Sequence, residues 1–267
     1  MSKVPVHTER FCFTTNGQPR TALLRTPPEP ARRPSLLIDL CGTKESALDE
    51  SPYNIVPGIF LAAGHCVASF DLPRHGERAD AFGEGLMGMA AAIAAGIDVF
   101  ADVAATGRAL IDHCVARGLS LQGAVVMNGT SRGGLSAMHV MAADPRVAAC
   151  AVHAPVTDLP TLREFAALKG NPIIGRSNAM ALADRLADRP LFIAIGSSDP
   201  RVDANRCREF HAAVVAASVR PRAELFITEG ASHADGFDDQ PGYHAAAAFL
   251  LRVCAEHTRQ KMCDGRN

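Results

Sequence analysis

Two patterns alternate along this chain, and their alternation constrains the fold more than any single motif. Short, continuously apolar runs at 35–41, 66–71, 123–128, 147–153, 191–196 and 223–228 are separated by stretches with a helical apolar period. Runs of this kind, bounded by Gly, Pro or Asp, suit strands covered on both faces, as in a parallel sheet. The helical stretches are 57–63, 97–116, 133–143, 203–217 and 242–257; in the second, Ile97, Phe100, Val103, Ala104, Leu110, Ile111 and Cys114 keep close to one face. Ahead of them, 10–15, Asn16-Gly17 and 21–25 carry the signal of a hairpin, closed by Pro27, Pro28, Pro30 and Pro34. Together these predict an α/β, doubly wound, mostly parallel eight-stranded sheet with helices on both faces. Any site belongs at the C-terminal ends of the strands.

No internal repeat, low-complexity linker or shift in composition divides the 267 residues, so 1–267 is expected to form one domain. Lys plus Arg number 27 against 28 Asp plus Glu, which argues against a nucleic-acid or anionic-membrane partner. The first twenty residues have charges and prolines scattered through them and no apolar core, so no signal peptide is expected. The most hydrophobic stretch, 86–95, is about half the length needed to cross a bilayer. Eight cysteines are dispersed without a Cys-x-x-Cys pair, and the histidines lack zinc-binding spacing, so neither a metal nor a cofactor is expected. A cytoplasmic location is the expectation. A homodimer is compatible with the composition, which does not demand one.

Chemistry concentrates at Gly129-Thr130-Ser131-Arg132-Gly133-Gly134, between an apolar run and a helical one. That is the strand–turn–helix setting of a nucleophile elbow, G-x-S-x-G, in which a tight turn lifts the serine hydroxyl above the sheet. A serine hydroxyl needs a base to take its proton and an acid to orient that base. Asp199, in Gly196-Ser197-Ser198-Asp199-Pro200-Arg201-Val202, and His233, in Gly230-Ala231-Ser232-His233-Ala234-Asp235-Gly236, each follow an apolar run. The chain order is Ser131, Asp199, His233, with gaps of 68 and 34 residues.

These three segments, together with the turn Asp71-Leu72-Pro73-Arg74-His75-Gly76, resemble the α/β-hydrolase superfamily over nearly the whole chain. The Ser-x-Gly-Gly elbow and the Gly-x-x-Asp-x-x-Val acid loop are most similar to the dienelactone-hydrolase and prolyl-oligopeptidase-like branches, without room for a propeller domain. The resemblance implies an oxyanion hole formed by the backbone N–H groups of Arg132 and Thr43. One departure is visible: Leu40-Cys41-Gly42-Thr43 has Cys41 where many relatives have His.

Other assignments of the same residues stay open at this level. Asp158, after the preceding run, and Asp203, more in keeping with the start of a helix, are alternative acids. Cys41 is an alternative nucleophile and a candidate substrate contact, as are His153, at a strand end near the expected cleft, and Phe165. The Arg132 side chain either pairs with a carboxylate such as Glu45 or Asp158, or holds a substrate carboxylate. Residues 159–189 are expected to insert as a small helical cap, with short helices at 159–169 and 178–187. Leu162, Phe165, Ile173, Ile174 and Met180 would then either line an acyl pocket or pack on the sheet. The glycine-rich segment 83–89 reads as a flap that resists helix formation. The expected function is a serine hydrolase cleaving a carboxylic ester, lactone or thioester of a small acyl substrate. A small oligopeptidase-like peptidase or amidase, and a non-catalytic binding protein on the same fold, are the alternatives.

Overall fold

The computed structural model describes residues 6–120, 123–233 and 240–263. The chain opens with β1 (His7–Thr15) and β2 (Gln18–Thr26), an antiparallel hairpin. Its two-residue turn places Asn16 and Gly17 at φ of 51° and 74°, the left-handed conformation that the Asn-Gly pair favours. There follow β3 (Leu36–Leu40), α1 (Lys44–Asp49), α2 (Ile55–Ala62), β4 (Cys66–Phe70), α3 (Gly85–Ala94), α4 (Val99–Ala116) and β5 (Val125–Thr130). The remainder is α5 (Arg132–Ala143), β6 (Val147–His153), α6 (Pro172–Ser177), α7 (Ala183–Leu186), β7 (Leu191–Gly196), α8 (Ala204–Ala217), β8 (Ala223–Thr228) and α9 (Pro241–Cys263).

All eight strands form one sheet in the order β1-β2-β4-β3-β5-β6-β7-β8. The contacts of β2 with β1 and with β4 are antiparallel, and every pairing from β4 to β8 is parallel. The expected strand runs fall on β3 to β8; β3 to β7 are buried on both faces, as uninterrupted apolar runs permit, and the edge strand β8 is partly buried. Alternate residues of β3 serve different cores: Leu36, Ile38 and Leu40 face the layer holding α4, α5 and α8, whereas Leu37 faces the layer holding α2 and α9. Among the described residues no single helix is long and apolar enough to cross a membrane.

Two local expectations require correction. Segment 83–89 is not a helix-free flap, since α3 begins at Gly85 and buries Gly88, Met89, Ala90, Ala92 and Ile93. Each glycine costs a helix roughly 1 kcal/mol, and burial of the apolar run beyond them outweighs that penalty. Residues 159–189 hold 3-10 turns at Leu159–Thr161, Ala166–Leu168 and Ala179–Leu182 beside the short α6 and α7, in place of two helices. Of the side chains offered there as pocket lining, Leu162, Phe165, Ile173 and Ile174 pack into the α4/α5/α8 core, and only Met180 is exposed. Helix α1 was not anticipated. Thr43 caps it, its hydroxyl accepting from Ser46 N at 3.1 Å, and it starts on Lys44, a lysine buried to 0 % exposure.

Candidate active site

Strand β5 delivers Ser131 at the sheet's C-terminal edge, and the local backbone explains its glycines. Ser131 has φ 56° and ψ −119°, a region that residues with a side chain rarely occupy. Hydrogen bonds hold this conformation: Ser131 N donates to the His153 carbonyl at 2.8 Å, and Val156 N donates to the Ser131 carbonyl at 3.2 Å. The elbow is also crowded. A Cβ at Gly129 would lie 2.5 Å from the Gly133 carbonyl oxygen, and one at Gly133 would collide with the Leu40 carbonyl.

Two other loops converge on the hydroxyl. His233 Nδ1–H donates to Asp199 Oδ2 at 2.7 Å, which leaves Nε2 to accept from Ser131 Oγ at 3.2 Å. The Asp199 side chain is fully buried and that of His233 is 24 % exposed. Burial alone would raise the Asp199 pKa. The His233 hydrogen bond and the N–H groups of Val202 and Arg201, donating to Oδ1 at 2.9 and 2.8 Å, outweigh it and hold the carboxyl below its ordinary value. Asp199 therefore stays a carboxylate at neutral pH. The other acids lie elsewhere. Asp203 caps α8, accepting from Asn205 N at 2.7 Å, and Asp158 accepts from Asn178 Nδ2 at 3.3 Å. The end of the His loop, 234–236, lies outside the described residues.

Facing the elbow, the turn after β3 presents Thr43 beside the N-terminus of α5, which begins at Arg132. Among the described residues neither the Thr43 nor the Arg132 N–H donates a hydrogen bond. The Thr43 turn is fixed by a residue that the sequence reading left without a role. Asp71 accepts from Lys44 N at 2.8 Å and from Glu77 N at 2.9 Å, and its Oδ2 lies 3.0 Å from the buried Lys44 Nζ. Leu72 N donates to the Gly42 carbonyl at 2.9 Å, so the 42–44 and 71–77 loops are tied along their length. A cleft of about 370 Å³ opens from Thr43 and Arg132, bounded by His75, Leu86, Met87 and Glu164. A larger cavity of about 490 Å³ lies behind the 71–80 loop around Arg20, Arg78 and Asp102; Ser131, Asp199 and His233 line neither cavity, and the smaller one adjoins the elbow through Arg132.

The three side chains offered as substrate contacts are not brought into this cleft. Cys41 is buried, its Sγ directed at the Thr43 carbonyl at 3.7 Å, and burial pushes the thiol pKa to about 12, so it is not a thiolate nucleophile. His153 points into the α9 layer, stacked on Tyr243 with ring centroids 3.8 Å apart, Nε2 3.0 Å from Asn128 Oδ1; it borders a crevice of about 40 Å³. Phe165 is fully buried in the α4/α5/α8 core. For His153 and Phe165 an aromatic or apolar packing partner from another element takes the side chain away from the cleft, whereas Cys41 is turned inward within its own loop. Glu164 and His75 border the cleft instead. Glu164 belongs to the insertion, and its Oε1 takes Arg201 Nη2 at 2.7 Å. His75 donates Nδ1–H to the Pro73 carbonyl at 2.9 Å, which fixes the turn after β4.

No family model and no curated protein matches this sequence. Solved structures do. A cold-adapted esterase from an Arctic intertidal metagenomic library superposes with a TM-score of 0.71 at 17% identity, over 95% of this chain and 97% of that one. TT1662 from Thermus thermophilus gives 0.68 at 23% identity, over 94% and 98%. The Pyrococcus furiosus esterase Pf2001 gives 0.69 at 18% identity, over 92% of each chain. With an eight-stranded sheet in this order and a serine elbow after its fifth strand, the chain has the α/β-hydrolase fold.

Proposed function

We propose that this protein is a serine hydrolase that cleaves a carboxylic ester of a small molecule. The observation that carries the reading is the unbroken relay Asp199–His233–Ser131, at 2.7 and 3.2 Å, beside two backbone N–H groups. In acylation, Ser131 Oγ attacks the ester carbonyl while His233 Nε2 takes its proton. The carbonyl oxygen becomes an oxyanion facing the Thr43 and Arg132 N–H groups, at the positive end of the α5 dipole. The carbon–oxygen bond to the alcohol breaks, and the alcohol leaves with the proton from His233. Water then repeats the sequence on the acyl-serine, releasing the acid. Asp199 holds the imidazole in the tautomer that accepts at Nε2. The solved structures with this fold that are named esterases support an ester over an amide. Six buried free cysteines support a reducing, cytoplasmic location. Wild-type protein is expected to hydrolyse short-chain alkyl esters, and Ser131→Ala to lose about 10⁴-fold or more in kcat with unchanged circular dichroism. Retained turnover in that variant would overturn the assignment.

A further inference from the structure

We propose that the Arg132 guanidinium binds a carboxylate of the substrate, so that the preferred substrates are half-esters of short dicarboxylic acids. The inference rests on the serine-esterase reading and names the substrate class of that site. The Arg132 side chain folds back over the oxyanion turn: a Cβ on Gly42 would lie 2.7 Å from Arg132 Nη2 and 3.2 Å from His75 Cδ2. Among the described residues this guanidinium forms no ion pair, and its Nε is buried with no hydrogen-bond partner.

The two carboxylates expected to pair with it are engaged elsewhere. Glu45 takes Arg10 at 2.7 Å and Lys44 at 3.5 Å, and Asp158 takes Asn178. Around the cleft Arg74 pairs with Asp80 and Glu164 with Arg201, and among the described residues the exposed Glu84 makes no ion pair with Arg132. His75 contributes no charge at neutral pH, because burial and the adjoining Arg132 push its pKa down to about 4. Burial likewise lowers the pKa of Arg132 itself. Glu164, already paired with Arg201, attracts Arg132 only at longer range. A half-buried cation with no direct ion-pair partner is costly to desolvate, and a bound anion lowers that cost.

The form of the anion follows from the surroundings. One planar guanidinium fork matches one carboxylate. A phosphate dianion would meet a single free cation while Glu84 and Glu164 stand in the same cleft. Spacing limits the acyl chain as well. Nη2 lies against Gly42, the residue before the Thr43 N–H, so the carboxylate and the scissile carbonyl must be a few bonds apart, as in a malonyl or succinyl group.

The test compares kcat/KM for monoethyl succinate with that for the neutral diethyl succinate, in wild type, R132M and R132K. Wild type is expected to prefer the half-ester, and R132M to lower the ratio of the two by about ten- to a hundred-fold. R132K, which keeps the charge without the fork, should fall between them. An unchanged ratio overturns the proposal, and so does an equal fall for both esters, which would assign the side chain to the oxyanion or to folding. Calorimetric binding of monoethyl succinate to Ser131→Ala, and its weakening on adding R132M, reads the same contact without turnover. Binding with no hydrolysis of any ester would overturn the esterase reading and leave the carboxylate site standing. Turnover of neutral esters without half-ester preference or binding would do the reverse.

Discussion

Asp199 and Asp203 share a loop and differ in what their oxygens meet. Asp199 receives an imidazole N–H and two backbone N–H groups, whereas Asp203 receives only the Asn205 N–H at the start of α8. A carboxylate buried against His233 can fix its tautomer, and one at a helix N-terminus acts on the helix alone. Asp199→Asn is accordingly expected to lower kcat by about 10⁴-fold by favouring the wrong tautomer. Asp203→Ala should leave kcat intact and cost about 1 kcal/mol of stability in urea unfolding. Full activity in Asp199→Asn would move the acid elsewhere. The elbow was legible at this scale because G-x-S-x-G encodes its own turn: Ser131 needs a left-handed φ, and side chains at 129 and 133 would strike backbone. Cys41, His153 and Phe165 were not legible. Whether a side chain at a strand end faces the cleft depends on what α9 or the 159–189 insertion packs against it, and local sequence does not carry that.

At the scale of elements, the oxyanion side of the site depends on two loops that share one carboxylate. Asp71 anchors the first turn of α1 and the 71–77 loop together, and its partner Lys44 is buried to 0 % exposure. Glu77 and Glu45 also approach Lys44 Nζ, at 3.3 and 3.5 Å, from the exposed side. Asp71→Asn leaves the buried ammonium without its closest counter-charge, and is expected to cost about 3 kcal/mol. In the double variant Lys44→Met/Asp71→Leu most of that loss should return, as measured by urea unfolding, while ester turnover stays impaired because the Thr43 turn loses its tether. A double variant as unstable as Asp71→Asn would show that the backbone tethers dominate. The strands and long helices were legible from periodicity, since β3 to β7 are buried on both faces and α4 on one, while the edge strand β8 is only partly buried. The short helix α1 and the turns of 159–189 were not, because segments of four to six residues are held by caps and tertiary packing.

Across the whole molecule, buried ionisable groups set the response to acid. Burial, first, and then Arg132 lower His75 to about 4, and burial lowers His153 to about 3. Between these values and about 6.5 the unfolded chain binds protons that the native state refuses, so both groups make stability fall as pH falls. Asp39 has the opposite sign. Burial raises its pKa to about 7, so between about 4 and 7 the native state holds a proton that the unfolded chain releases. Burial also lowers His65, His139 and His257, so the histidines outweigh the one raised carboxyl and stability falls on going from about pH 6 to about pH 4.5. Urea unfolding across that range should show this fall, and Asp39→Asn should steepen it; a flat profile would contradict the neutral assignment of His75 and His153.

The central claim is that Ser131 is a nucleophile activated by His233, and it is tested most directly by mass mapping after exposure to a fluorophosphonate probe. Wild type is predicted to gain one adduct on the Ser131 peptide, His233→Ala to label far more slowly, and Ser131→Ala not at all. Folded wild type that takes no adduct, or an adduct that persists in Ser131→Ala, would contradict the claim.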